Sequence, residues 1–299
     1  MCLVPFDEDY RRMWMFPRNK RKIPPHLISE ILFNFLEMNK VNWLSDQNVQ
    51  DEFNKLLEDS GIKRPGYQRD AKSGGPRTYY SQLKQLGLVF ERKVKGNKYI
   101  FLTLAGEAIV NGEKPLEVMQ DLLLRLQYPS AYSKGPNVKI HPDIKVKPFM
   151  FVLQLLDNND IKGLNKEELA VPIIYGHNNE CLELCIQKIF ELRSGKGFED
   201  ILINPDKDTY TKRMRDKSIE KRIESIFDIA NTMKNHMESL LLVNIEKQND
   251  HYIRFNEDIR GKYLGELDRI NEFIPFDNEE QFQRRFGCWG KVKDTRHLS

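Results

Sequence analysis

The chain has 299 residues, 40% of them hydrophobic and 30% charged, which is apolar material for two domains of ordinary size. Forty-seven Lys and Arg stand against 44 Asp and Glu, so the formal charge of +3 points to no partner by itself. The mean hydropathy is −0.59 and no apolar run approaches the ~20 residues of a membrane span, so no membrane partner is expected.

The N-terminus, MCLVPFDEDYRRMWMF, lacks the basic-then-apolar order of a signal peptide, and a cytoplasmic protein is expected. Residues 10–26 hold six basic side chains and no acid, with Trp14 and Phe16 between them. This reads as a basic arm over 1–26, or a poorly ordered leader. As an arm it would put Arg18, Lys20, Arg21 and Lys22 on phosphates. An amphipathic helix follows Pro24-Pro25, with Leu27, Ile28, Ile31, Leu32, Phe35 and Leu36 on its inner side. A second starts near Ser45 and buries Val49, Phe53, Leu56 and Leu57.

The next helix opens at Gly75-Pro76 and stops at Gly87, the positions that favour proline and glycine. Tyr79, Leu83 and Leu86 share its inner face, which turns Arg77, Thr78, Ser81, Gln82, Lys84 and Gln85 outward. Two β-rich runs then flank Lys95-Gly96-Asn97-Lys98, a hairpin with a basic tip. A polar helix followed by such a hairpin is the layout of a winged helix-turn-helix, which reads duplex DNA. Between Ser60 and Ile100 ten Lys or Arg face two acids, a local charge of +8. Charge gathered on one element and its wing is the mark of a phosphate backbone; a merely solvated basic face is the plainer alternative. Arg77, Thr78, Ser81, Gln82 and Lys84 are therefore the candidate base readers. Arg69, Lys72, Lys93, Lys95, Asn97, Lys98 and Lys134 join the arm as candidate backbone contacts.

Pro115 begins a helix that Pro129 closes, and AYSKGPNVKIHPDIKVKP reads as an extended linker. Three helices follow, in FMFVLQLLDNND, NKEELAVPII and NECLELCIQKIFELR. Gly195 to Asp208 reads as a loop, and a long charged helix from about Thr211 to Glu238 leads to two strands around Gln248-Asn249-Asp250. His177, Asn178, Asn179 and Lys188 form a candidate second reading surface, with helix capping by the asparagines as the competing role. The expected fold is mainly α with small β-hairpins, in two tandem winged helix-turn-helix-type domains. These are an arm (1–26), a first winged domain (27–128), a linker (129–148), a second winged-helix-like domain (149–257) and a tail (258–299).

Cys181 and Cys185 lie in a helical apolar pattern and read as core thiols, since no second Cys/His pair stands at finger spacing. For a PD-(D/E)xK nuclease, Pro142-Asp143 and Pro205-Asp206 offer one half, Glu91-Arg92-Lys93 and Asp70-Ala71-Lys72 the other. They stand in the wrong order, so no catalytic residue and no metal site is assigned.

The run YIFLTLAGEAIVNGEKPLEVMQDLLLRLQYPSAYSKG, with KPFMFVLQLLDNNDIKGLNKEELA after it, resembles the recognition half of AlwI-like Type IIS restriction endonucleases and their nicking relatives. Thr103 to Gly106, Gln127 to Ser130 and Lys134-Gly135 carry it most specifically, and MWMFPRNKRKIPPHLISEILFNFL and RTYYSQLKQLGLVF fit as well. The likeness covers about residues 14–275 and fades after Arg193. It implies a bacterial, cytoplasmic protein with two winged-helix-type domains that reads a short asymmetric duplex site as a monomer. It also implies a separate Mg²⁺-dependent nuclease domain, absent before Ser299, so that cleavage would need a nuclease domain or subunit supplied elsewhere. Its attachment is expected on the charged helix or on the tail, whose Phe273, Phe276, Phe282, Phe286 and Trp289 form an aromatic surface; docking of that tail onto its own second domain is the equal alternative. A stand-alone winged-helix regulator, more often a dimer on a palindrome, is the alternative function. A protein-binding winged helix is a third, disfavoured by the local charge.

Overall fold

The computed structural model describes residues 3–16, 24–37, 46–63, 74–131, 133, 139–246, 252–275 and 277–289. In chain order the elements begin with β1 (Tyr10–Arg11), α1 (Pro25–Glu37), α2 (Gln47–Asp59) and α3 (Gly74–Gln85). The strands β2 (Val89–Val94) and β3 (Asn97–Leu102) follow, then α4 (Leu104–Val110), α5 (Pro115–Arg125) and β4 (Lys139–Ile140). Next come α6 (Pro148–Asp157), α7 (Lys166–Tyr175), α8 (Leu182–Arg193), α9 (Pro205–Asp208) and α10 (Ile219–Ser239). Strands β5 (Val243–Glu246) and β6 (Tyr252–Phe255) precede α11 (Arg260–Leu267) and α12 (Glu279–Phe286). The architecture is mainly helical with two-stranded sheets, as expected. Among the described residues no helix is long and apolar enough to cross a membrane.

Two compact units emerge, each built from two separated stretches. Unit 1 joins residues 1–22 to 124–273, and unit 2 joins 23–123 to 274–299.

In unit 2, α1, α2 and α3 pack on one another. Phe35 meets Phe53 edge-on at 5.1 Å and stacks on Tyr80 at 5.4 Å. Asp46 caps α2 by accepting from the Asn48 amide. Tyr79, Leu83 and Leu86 are buried along α3, the face their spacing predicted. Gly87 then turns with φ +68°, which favours glycine, and a Cβ there would lie 2.5 Å from the Phe286 ring. That ring belongs to α12, whose Phe282 and Phe286 are buried and which packs on β2. The Ala105 amide also donates to the Gly287 carbonyl at 2.8 Å. The stretch read as a tail over 258–299 is shared between the units: α11 packs on α6 in unit 1, as docking onto the second domain would have it, and α12 packs on β2 in unit 2. Phe276 lies outside the described residues.

Unit 1 is centred on α6, where every residue from Pro148 to Leu153 is buried. A capping box starts α7, the Asn165 side chain accepting from the Glu168 amide and Glu168 from the Asn165 amide. Arg193 bonds Glu168 Oε1 at 2.7 Å and donates to the Gly163 carbonyl, tying α8 to the start of α7. Cys181 and Cys185 are buried in this core. Part of the loop expected over 195–208 is the short helix α9, and the long charged helix starts later than expected, at Ile219. Ten of its residues are buried against the unit, which leaves it a core element rather than an attachment rod. The expected second hairpin is present as β5 and β6; its turn at Gln248-Asn249-Asp250 lies outside the described residues.

Two further boundaries change. The described part of the arm is core: Val4, Met13, Trp14 and Phe16 are buried, and β1 pairs in parallel with β4. Tyr128 and Val146 exchange backbone hydrogen bonds in both directions, so the stretch read as a linker begins and ends inside unit 1. Local composition suggested exposure in both cases, but the arm's partners are strands and helices more than a hundred residues away.

Unit 1 also buries two imidazoles. His177 and His236 are 1% and 9% exposed, and burial pushes each down to about 4. The unfolded chain, with ordinary histidines near 6.5, takes up these protons first. Stability is therefore fully present above pH ~6.5 and lost as pH falls toward ~4, by up to about 3 kcal/mol per group. Urea midpoints should be nearly level above pH ~7 and fall between pH ~6.5 and ~4, and His236→Leu should flatten that slope. A pH-independent midpoint would contradict the burial of these rings.

Candidate nucleic-acid interface

The site is best built from α3 and the hairpin of unit 2. Arg77, Thr78 and Ser81 lie on the outer side of α3, Arg77 exposed and the other two half-buried. Arg77 and Ser81 are one turn apart, and Thr78 stands three residues before Ser81, so the three form one polar row. Gln82 does not join them. It is 4% exposed and Gln85 6%, because α3 buries a wider arc than its apolar spacing implied; Gln82 is corrected as a base reader.

Lys84 is corrected as well. Its ammonium bridges Glu91 at 3.4 Å and Glu279 of α12, so its charge is already compensated. Glu91 is the centre of this cluster: Tyr80 Oη donates to it at 2.6 Å and Lys98 Nζ at 3.2 Å. Burial works to raise the Glu91 carboxyl, but Lys84, Tyr80 and Lys98 together hold it below its ordinary range. The same contact, with burial first, pushes the Tyr80 phenol well up. A carboxylate held by donors from α3 and from β3 fixes the angle between helix and wing.

Val94 pairs with Asn97, leaving Lys95 and Gly96 as a two-residue turn with φ of +49° and +89°. Positive φ at both central residues is the type I′ geometry that matches strand twist. Lys93, Lys95, Asn97 and Lys98 are exposed around this tip, Lys98 with its ammonium on Glu91. Lys93 stands directly opposite Lys98, a repulsive pairing that a polyanion would relieve. Arg18, Lys20, Arg21, Lys22, Arg69, Lys72 and Lys134 lie outside the described residues.

Strand alternation places Phe90, Arg92, Tyr99 and Phe101 on the opposite face of the hairpin. Arg92 lies 5.9 Å from the Phe90 ring and 5.8 Å from that of Phe101, and it bonds Glu280 of α12. Sequence reasoning missed this cluster, although the period of two was there to show it.

The candidate second surface in unit 1 is largely dismantled. His177 is buried, and its Nδ1 accepts from the Val4 amide at 3.1 Å. Asn178 accepts from the Glu180 amide, the capping role weighed against reading. Asn179 donates to Asn271, and Lys188 pairs with Glu191 at 3.1 Å. Asn178 and Asn179 do line an open groove of about 650 Å³ with Asp143, Lys145, Glu180, Asn271 and Phe273. Among the described residues no three His, Cys, Asp or Glu side chains are grouped to hold a metal ion.

No family model matches the chain, and no curated protein matches it. Among solved structures it is similar to the BpuJ1 endonuclease binding domain, crystallised in complex with pyrene- and phenanthrene-modified DNA. The match has a TM-score of 0.60 at 17% identity and covers 94% of this chain and 98% of that one. At that identity the likeness is one of fold, and this chain shares that domain's fold over nearly its whole length.

Proposed function

We propose that the chain is the sequence-specific duplex-DNA recognition part of a bacterial Type IIS restriction or nicking endonuclease, AlwI-like in kind. The supporting observation is the row of Arg77, Thr78 and Ser81 beside a lysine-tipped hairpin, on a fold shared with a domain crystallised on DNA. In this reading unit 2 is one winged helix-turn-helix, its α3 entering the major groove and its β2–β3 wing gripping the backbone. Unit 1, with α10 running into the β5–β6 hairpin, is a second module of the same type. The protein reads a short asymmetric site as a monomer in the cytoplasm, and a nuclease domain or subunit that uses Mg²⁺ does the cutting.

Selection from random duplexes tests this. An enriched asymmetric motif is expected; a palindrome would favour a dimeric regulator, and no enrichment would overturn the proposal. The wing makes a second prediction. Replacing Lys95 and Lys98 together with alanine should weaken binding to every sequence and lower the salt slope by about 0.9 for each phosphate that is no longer neutralised. An unchanged slope in a salt titration would remove the wing from the interface.

A further inference from the structure

Duplex recognition by α3 and the wing tip leaves the aromatic face of the hairpin unused. Phe90 and Phe101 stack at 5.5 Å with 24° between their planes, and Tyr99 continues the row 6.4 Å from Phe101. Phe90 is buried, but Phe101 is 39% exposed. Soluble proteins scatter single exposed apolar residues without consequence. An exposed ring continuing an ordered stack, with a guanidinium over it, is a prepared surface.

We propose that this face is a stacking platform for unpaired nucleobases and that its ligand is single-stranded DNA. Three observations favour that occupant. The first is the rings themselves: intact duplex hides its base faces, so a planar aromatic surface can be used only by bases out of the stack. The second is charge. Arg92 lies on this face and Lys95 at the turn beside it, while Glu91 points to the other face with Lys93 and Lys98 and is engaged there by Lys84 and Lys98. The carboxylate that reaches this face, Glu280, is shared by Arg92 at 2.6 Å and Arg284 at 3.6 Å, so the face keeps a net positive charge. The third is rigidity. α12 packs on β2 at the Phe90 end of this face, its Arg284 5.8 Å from the Phe90 ring, and Arg92 sits over Phe90 and Phe101, so the rings are set before a base arrives. A protein partner would call for an apolar patch wider than Phe101 and Val94, at 39% and 38% exposure, inside a rim of cations.

The test uses the full chain, a fluorescent fifteen-base oligothymidine, and a duplex carrying the selected site. The substitutions Tyr99→Leu and Phe101→Leu keep apolar bulk but remove the π-faces; Phe101→Tyr keeps both. Oligothymidine affinity should fall by roughly 5- to 150-fold for each base that is no longer stacked, with Phe101→Tyr close to wild type. Duplex affinity should stay within about two-fold, since the duplex site lies on α3 and the wing tip. No binding of oligothymidine by the wild type, or unchanged binding by the leucine variants, would overturn the platform. Equal loss on both ligands would also overturn it, by assigning the face to the duplex site. If the single-strand loss appears in a protein that selects no duplex, the platform stands and the proposed function falls.

Discussion

Replacing Arg77 with alanine is expected to weaken binding to the selected duplex by roughly 5- to 150-fold, about 1–3 kcal/mol, and to relax the preference at one base pair. Arg77 is exposed in the first turns of α3, where a recognition helix meets base edges. Its guanidinium can give guanine O6 and N7 two parallel hydrogen bonds, a fork that lysine cannot reproduce. Arg77→Lys should therefore restore general affinity but not discrimination. Competition binding against single-base variants of the site measures this. A uniform loss across all variants would make Arg77 a phosphate contact. Lys84→Ala serves as the contrast: it should cost folding stability by releasing Glu91 and Glu279, with no change in base preference.

The largest stability loss is expected from Trp14→Ala, about 3–5 kcal/mol. The indole is 0% exposed, donates through Nε1 to the Gly176 carbonyl at 2.8 Å, and meets Phe151 edge-on at 5.7 Å. Its own amide donates to the Ile173 carbonyl, so the segment is held at the C-terminal end of α7 by backbone and side chain together. Gly176 is glycine because the indole occupies the space a Cβ would need. Truncation would leave a cavity and an unpaired carbonyl. Urea unfolding should show a lower midpoint with an unchanged slope; a loss below ~1 kcal/mol would mean that the described arm is not core.

What could be read in advance was local. The i, i+4, i+7 spacing of Tyr79, Leu83 and Leu86 gave the inner face of α3 correctly, and the glycine at 96 located the wing turn. The outer face was legible only in part, because Gln82 and Lys84 are turned to other uses by partners that local pattern does not reveal. Glu91 and Glu279 stand 7 and 195 residues from Lys84. The same blindness affected the ends of the chain. Six basic residues near Trp14 read as an arm because nothing local shows that β4 lies 129 residues after β1. His177 resembled a reader until Val4 was found bonded to its ring.

The interleaving of the two units bears on how the molecule is made. The ribosome releases the chain from the N-terminus, and α1, α2, α3 and the β2–β3 hairpin emerge early. Phe282 and Phe286, which close that unit's core, and Glu280, which neutralises Arg92, emerge more than 170 residues later. At synthesis rates of ~5–20 residues per second, the half-built unit waits on the order of ten seconds with its aromatic hairpin uncovered. During that interval the nascent chain exposes more of this surface than the finished protein, in which Phe90 is buried and Phe101 stays 39% exposed. Chaperone demand should therefore be concentrated in the middle of translation, and premature termination just short of α12 should yield aggregates rather than a smaller working protein.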